Sequence, residues 1–158
     1  MYAKTKDGLN IYYEIKGNAE AKETIIFLNG LSQATVSWYF MLPCFEDKYR
    51  LVLMDFIFQG QSDKTGEWRT FDQHADDVIQ VLNATNTPKA IVIGISYGSL
   101  VAQHLALNHP EYVSKLVLLS TFAHKTPYFE AIEYAWWKAL EIGGYSLMFD
   151  IMLPNVLS

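Results

Sequence analysis

The pentapeptide Gly94-Ile95-Ser96-Tyr97-Gly98 contains the residue of this sequence best suited to covalent chemistry. It follows the apolar run 90–93 and leads directly into the helical pattern 99–107, so a strand, a sharp turn and a helix succeed one another. A serine on such a turn exposes its hydroxyl above the end of a sheet, and flanking glycines remove Cβ atoms that would collide with the neighbouring strand and helix. Ser96 is therefore the candidate nucleophile.

Two further requirements decide whether such a serine can attack a carbonyl carbon. A base must accept its proton, and N–H groups must stabilise the negative charge that develops on the carbonyl oxygen. The backbone N–H of Tyr97, directly after the serine, is one candidate donor. The loop after the third predicted strand offers the second, which we predict to be the Leu31 N–H. In the same loop, Asn29 and Gly30 are predicted to contact the substrate.

The base is not evident among the four histidines. His74 lies in the predicted helix before the strand that leads to Ser96, and His104 and His109 lie along or beyond the helix that follows Ser96. A surface or helix-end role is expected for these three. His124 follows the carboxyl end of a strand and stays a candidate site residue, although no Asp or Glu adjoins it to orient the ring.

Alternating strands and helices position the serine. The predicted strands are 2–5, 9–14, 24–28, 49–55, 89–93 and 113–120, and the predicted helices are 32–45, 70–82, 97–108, 128–142 and 145–157. Thr70 is the predicted N-cap of the second helix. This order predicts an α/β fold: a mostly parallel sheet with helices on both faces and an active site outside the carboxyl ends of its strands.

Composition excludes several classes of protein. With 158 residues and 51% hydrophobic side chains the chain can bury a sizeable core, and its net charge of −5 without charge runs disfavours nucleic acid and anionic membranes as partners. The single cysteine, Cys44, is predicted to be buried, and no Cys/His cluster has zinc-ligand spacing. We therefore expect neither a metal nor a cofactor. No apolar stretch resembles a signal peptide or membrane span, so we expect a cytoplasmic protein.

From about Tyr2 to Ser120 the sequence resembles the N-terminal half of an α/β-hydrolase-fold protein. The resemblance rests on the opening hairpin, the loop 29–31, the D-x-x-x-x-G-x-S stretch from Asp55 to Ser62, and the elbow. It implies an incomplete α/β-hydrolase core of about six strands at 1–123, followed at 124–158 by the start of a helical cap. Trp137 of this cap would then help to bind the acyl group.

The resemblance also assigns residues outside the elbow. Asp55 would brace the loop 59–62, whereas the triad acid and histidine of the family lie on loops after later strands, which this sequence does not contain. The family commonly has His-Gly where Asn29-Gly30 stands, and glycine and histidine where Phe58 and Gln59 stand. Asn29 leaves the backbone donor in place but puts the usual loop-bracing hydrogen bonds in question.

Three functions follow as alternatives. The first is a serine hydrolase that acts on a carboxylic ester or thioester through an acyl-Ser96 intermediate, as part of a longer chain. The second is an acyltransferase with an acyl thioester donor, because the Asn-Gly loop and Gly60-Gln61-Ser62 are similar to the acyltransferase-like branch of rhamnolipid synthesis. The third is a non-catalytic or partner-dependent half-domain.

The missing triad residues and the open sheet lead to two further expectations. Without an acid and a base, the 158-residue chain alone should be nearly inactive towards its small-molecule acyl substrate. The last predicted strand leaves an exposed edge at 116–119, so we expect self-association or a completing C-terminal segment.

Overall fold

The computed structural model describes residues 1–156, with side chains as far as Pro154. The chain divides into two compact units, Met1–Thr121 and Phe122–Ser158. The first unit is a six-stranded sheet with its helices, and the second unit contains one long, interrupted helix. The boundary predicted from sequence lay between residues 123 and 124.

The sheet contains every strand that the sequence predicted. The strands are β1 (Tyr2–Lys4), β2 (Asn10–Gly17), β3 (Thr24–Leu28), β4 (Arg50–Met54), β5 (Ala90–Ile95) and β6 (Val113–Leu119). Their spatial order is β1-β2-β4-β3-β5-β6, with β6 at one edge. β1 and β2 pair antiparallel, as do β2 and β4, whereas β4, β3, β5 and β6 run parallel. The sheet is therefore mostly parallel, as predicted.

Central strands of the sheet bury both faces, which is why they are continuous apolar runs. All five residues of β3 are buried, and successive residues contribute to opposite cores. Ile26 and Leu28 pack in the core that includes residues of the two main helices, while Ile25 and Phe27 pack with Trp38 on the other face. Because successive side chains of a strand point to opposite faces of the sheet, β3 contributes to both hydrophobic cores of the first unit.

Two α-helices flank the elbow strand in sequence: α1 (Phe71–Ala84) and α2 (Tyr97–Asn108). Thr70 caps α1 as predicted, because its Oγ1 accepts from the Gln73 N–H at 3.2 Å and Gln73 Oε1 accepts from the Thr70 N–H at 2.8 Å. This reciprocal pair satisfies two N–H groups at the start of the helix.

The helix predicted over 32–45 is a shorter 3₁₀ helix, Thr35–Cys44, which contains Pro43. Its inward-facing residues are Thr35, Trp38 and Leu42. Cys44 is exposed, so its predicted burial was wrong. It lies at the end of the 3₁₀ helix, outside the positions that face the core.

The second unit contains α3 (Pro127–Val156), which the sequence predicted as two helices. Gly144 has φ +68° and ψ −167°, and this non-helical backbone interrupts the element close to the predicted break. Leu157, the predicted end of the second helix, lies outside the described residues. Tyr128, Tyr134 and Trp137 are all more than half exposed. Among the described residues no helix has both the length and the apolar character needed to cross a membrane.

Candidate active site

Ser96 occupies the sharp turn between β5 and α2. Its backbone has φ +50° and ψ −116°, a conformation that costs an L-amino acid free energy and that clusters at functional sites. The Ser96 N–H donates to the Leu119 carbonyl at 2.9 Å, and the Ser96 carbonyl accepts from the Ser99 N–H at 2.9 Å. The side chain is exposed. The turn is thus held by its backbone, and the Ser96 side chain lies at the surface.

The two glycines of the pentapeptide are required by close backbone contacts. A Cβ atom at Gly98 would overlap the Leu28 carbonyl and lie 2.6 Å from the Asn29 oxygen. A Cβ atom at Gly94 would lie 2.5 Å from the Gly98 oxygen. Both distances are shorter than real Cβ contacts, so any larger residue would push α2 away from β3 and β5. These contacts are the physical reason for the glycines on either side of Ser96.

The loop 29–34 follows β3 and lies beside the elbow. Leu28, the last residue of β3, is opposite Gly94 in the register of β3 and β5. The Leu31 N–H and the Tyr97 N–H have no hydrogen-bond acceptor within the described residues. The Gly30 N–H, in contrast, donates to Gln33 Oε1 at 2.8 Å. The two N–H groups that the sequence predicted as oxyanion donors are therefore available, and that of Gly30 is occupied.

Asn29 braces this loop and is fully buried. Its Nδ2 donates to the Met54 carbonyl at 2.9 Å and lies 3.2 Å from Asp55 Oδ1 and 3.3 Å from Gln59 Oε1. Its Oδ1 accepts from Trp38 Nε1 at 2.8 Å. The prediction that Asn29 binds substrate therefore needs correction, because the side chain has no exposed surface and both its polar atoms have partners. Asn29 provides the bracing that the resemblance had put in question.

Gln59 orients the peptide that carries the predicted Leu31 donor. Its Nε2 donates to the Gly30 carbonyl at 2.9 Å and to the Leu31 carbonyl at 3.0 Å. The Gly30 C=O and the Leu31 N–H belong to the same planar trans peptide and point in opposite directions. By holding the carbonyl, Gln59 therefore fixes the direction of the N–H. Gly30, which is buried, contributes its backbone to this arrangement, and its contact with the substrate stays a prediction.

Asp55 is the hub of the second loop at this edge of the sheet. Its buried carboxylate accepts from the Thr35 N–H at 2.7 Å and from the Gln61 N–H at 2.8 Å. Ser62 Oγ donates to the Asp55 carbonyl at 2.6 Å. Gly60 has φ +44°, and a Cβ atom there would overlap the carboxylate. Asp55 thus braces the loop 59–62, the role that the resemblance implied.

Three of the histidines lie at the surface or partly exposed. His104 Nδ1 is 2.6 Å from Asp72 Oδ1, His109 is one-third exposed beside two carboxylates, and His124 is exposed in the second unit. Within the part of the chain that the structure describes, no hydrogen bond joins a histidine to Ser96 Oγ. A general base for Ser96 is therefore not identified among these residues.

His74 is buried, so the surface role predicted for it was wrong. Its Nδ1 lies 3.7 Å from Asp77 Oδ2, and Arg69 Nε lies 3.2 Å from the same oxygen. Burial raises the pKa of the Asp77 carboxyl group. Arg69 also pairs with the exposed Asp7, whose pKa is lowered to about 2 by hydrogen bonds from Thr5 and then Arg69. Helical periodicity had placed His74 on α1 without showing that its side of the helix faces the core.

A cavity of about 100 Å³ lies next to the two predicted donors. Its lining consists of Leu31, Phe56, Ile57, Phe58, Gln59, Trp68, Arg69, His74 and Tyr97. We call it the Leu31–Tyr97 cavity.

No cluster of metal-ligating side chains is found among residues 1–156. Trp137, predicted to bind substrate, belongs to the second unit, where its Nε1 donates to Glu141 Oε1 at 2.8 Å.

Comparison with known proteins places this geometry in a family. An uncharacterized hydrolase of Bacillus subtilis, YugF, is 33% identical over 116 residues, which are 73% of this chain and 42% of the relative. Epoxide hydrolase 1 of Caenorhabditis elegans is 32% identical over 118 residues, 73% of this chain and 29% of the relative. The crystal structure of a hydrolase from Pseudomonas aeruginosa PA01 superposes with a TM-score of 0.87 at 26% identity, covering 98% of this chain and 58% of the other.

The chain thus spans less than two thirds of the length of each of these proteins. The model of the α/β hydrolase fold family matches residues 23–141, which include β3 to β6, the elbow and the first part of α3. On this match and on its sheet topology, the chain belongs to the α/β hydrolase fold family.

Proposed function

We propose that this chain carries the nucleophile and the oxyanion hole of a serine hydrolase that acts on carboxylic esters or thioesters. The observation that carries the proposal is the strained, exposed Ser96 beside two N–H groups without acceptors. A general base contributed from outside the described residues takes the Ser96 hydroxyl proton as Oγ attacks the carbonyl carbon, and the Leu31 and Tyr97 N–H groups stabilise the oxyanion. The base then gives this proton to the leaving oxygen or sulfur as its bond to the acyl carbon breaks, so an alcohol or thiol departs. Water then hydrolyses the acyl-Ser96 ester.

Serine as the nucleophile favours a carbonyl substrate over an epoxide, although one relative is named an epoxide hydrolase. Attack of a serine hydroxyl on an epoxide carbon forms an ether, which has no carbonyl for water to attack. Attack on an ester forms another ester, which water can cleave. The two available N–H groups likewise suit an oxygen that gains charge at a carbonyl.

The features that raised the acyltransferase alternative have a structural explanation. Asn29 is a buried brace, and Gln61 contributes its backbone N–H to the Asp55 carboxylate. Neither residue requires a special acyl acceptor. The hydrolase therefore remains the proposal, and the acyltransferase and the non-catalytic half-domain are outcomes that its test separates.

The test compares Ser96→Ala with wild type in the protein purified from the cells that produce it. With p-nitrophenyl butanoate and with butanoyl thioesters, we expect kcat to fall by about 10³-fold or more, because the residual rate comes only from binding and the oxyanion hole. Ser114→Ala is the matched control, since Ser114 is exposed on β6, and we expect its rate to be unchanged.

Each alternative function predicts a different result. Wild-type turnover that survives in Ser96→Ala would disprove the proposed nucleophile. Turnover that yields a new ester when glycerol is added, with little free acid, would indicate an acyltransferase. Absence of turnover together with no labelling of Ser96 by a fluorophosphonate would indicate the non-catalytic alternative.

A further inference from the structure

The Leu31–Tyr97 cavity has a mixed lining. Its apolar and aromatic residues are Leu31, Phe56, Ile57, Phe58, Trp68 and Tyr97, and its polar residues are Gln59, Arg69 and His74. At about 100 Å³ it is smaller than the roughly 150 Å³ cavity that holds a benzene molecule. Its volume suits a chain of a few heavy atoms.

His74 offers one ring nitrogen to a ligand. The side chain is 4% exposed and packs against both Phe56 and Tyr97, whose ring centroids are 4.9 and 5.6 Å away. Nδ1 faces Asp77, so Nε2 on the opposite side of the imidazole is the nitrogen left for the cavity that His74 lines. No residue of the described part of the chain donates to or accepts from Nε2.

Asp77 does not fix which nitrogen of His74 carries the proton. Nδ1 lies 3.7 Å from Asp77 Oδ2, beyond hydrogen-bond distance, and both atoms lack a hydrogen-bond partner among the described residues. Nε2 is therefore a donor or an acceptor according to the tautomer. A hydroxyl is complementary in either case, because it both donates and accepts.

The charges around the cavity argue against an ionised ligand. The Arg69 side chain is 7% exposed, and its Nη2 lies 2.6 Å from Asp7 Oδ1 while its Nε lies 3.2 Å from Asp77 Oδ2. Two carboxylates thus face the single guanidinium. An anion would meet no unbalanced positive charge here, and burying it would carry a large desolvation cost.

We infer that the Leu31–Tyr97 cavity is a specificity subsite for a short, uncharged substrate group that ends in a hydroxyl, which forms a hydrogen bond with His74 Nε2. The inference rests on the proposed function, because Leu31 and Tyr97 supply both the oxyanion N–H groups and part of this lining. A hydroxyl a few bonds from the reacting carbonyl carbon then distinguishes one ester from another.

Two pairs of esters of equal heavy-atom count test the subsite. Methyl 3-hydroxypropanoate is compared with methyl butanoate, and 2-hydroxyethyl acetate with propyl acetate, so a hydroxyl replaces one terminal methyl on the acyl or on the alcohol side. We expect wild type to prefer the hydroxyl ester in one pair by about tenfold in kcat/KM, the effect of one hydrogen bond. The pair that responds identifies the side of the ester that enters the cavity.

Two variants of His74 distinguish the contribution of Nε2 to the ester preference from that of Nδ1. In His74→Asn the amide reaches the position of Nδ1 near Asp77 and provides nothing at Nε2, so we expect the preference to disappear. In His74→Gln the longer side chain restores a hydrogen-bonding group near Nε2, and part of the preference should return. Both esters are measured on the same sample, so a change in the folded fraction cancels from the ratio. An unchanged ratio in His74→Asn would overturn the inference.

A binding measurement decides the same question without turnover. In Ser96→Ala labelled with ¹⁵N-histidine, the hydroxyl ester of the pair that responds in the kinetic test should shift the Nε2 resonance of His74, and its methyl counterpart should not; His74→Asn assigns the resonance. Equal responses to the two esters, or none, would overturn the subsite. Loss of the proposed function is recognised separately, as wild-type turnover that does not depend on Ser96.

Discussion

The elbow around Ser96 and the loop 29–34 lie side by side at the ends of β5 and β3, yet the chain shapes them by opposite means. The elbow depends on missing side chains, because Gly94 and Gly98 allow backbones to approach within distances that a Cβ atom forbids. The loop 29–34 depends on side chains that are present, since Asn29, Asp55 and Gln59 hold it with hydrogen bonds. One half of the proposed oxyanion hole is therefore set by packing and the other by a polar network.

The difference teaches how each donor tolerates change. A packing constraint between backbones is nearly all-or-none, because a single methyl group must displace a helix or a strand. A polar network loses one hydrogen bond at a time, at about 1 kcal/mol each unless a charge is involved. Substitutions in the two regions should therefore differ both in size and in kind.

The largest effect is expected from Gly98→Ala, which tests the packing side. The new Cβ would meet Leu28 and Asn29 backbone atoms, so we expect the free energy of unfolding, measured with urea, to fall by about 3 kcal/mol. Gly8→Ala is the control, because Gly8 has φ +91° but open space around it, and we expect a loss of about 1 kcal/mol. Equal losses in the two variants would remove close approach as the reason for Gly98.

Asp55→Asn should have the next largest effect and tests the polar side. The amide keeps the shape but loses the charge and one acceptor for the Thr35 and Gln61 N–H groups, so we expect a loss of about 2 kcal/mol. Exposed Asp47→Asn provides the comparison, with a change within about 0.5 kcal/mol. A loss at Asp55 as small as that at Asp47 would show that the hub does not stabilise the fold.

Ser96→Gly should increase stability while it removes catalysis. Glycine adopts φ +50° and ψ −116° without the cost that serine bears, so we expect the free energy of unfolding to rise by about 1 kcal/mol. Ser96→Ala retains a Cβ atom and should show the same loss of turnover without the gain. If both variants were equally stable, the elbow would not store strain.

Gln59→Glu should have the smallest effect on stability and a larger one on rate. Gln59 is partly exposed, and an oxygen in place of Nε2 no longer donates to the Gly30 and Leu31 carbonyls, so we expect a stability loss of about 0.5 kcal/mol. The Leu31 N–H loses its fixed direction, and Ser96-dependent kcat should fall about tenfold, less than the loss of a whole donor. A proportional fall in stability and rate would argue against this orienting role.

The sequence predicted the elbow more completely than the hydrogen-bond network that holds the loop 29–34. The strands, the elbow and the Thr70 cap follow from patterns within a few residues, and the structure confirms them. Asn29 and Gln59 are 30 residues apart in sequence, so no local pattern revealed their contact. The burial of His74 and the exposure of Cys44 were likewise misjudged, because the face that an element turns to the core is decided by its tertiary neighbours.

The hydrogen bond between Trp38 and Asn29 gives the loop 29–34 its own optical signal. Of the four tryptophans, Trp38 is 3% exposed, whereas Trp68 and Trp137 are 87% and 60% exposed and Trp136 is partly buried. With Trp136 replaced by phenylalanine, acrylamide should quench the two exposed indoles and leave the emission of Trp38, at shorter wavelength. A red shift of that remaining emission would then report the opening of this loop in real time, before any change in the helices is visible by circular dichroism.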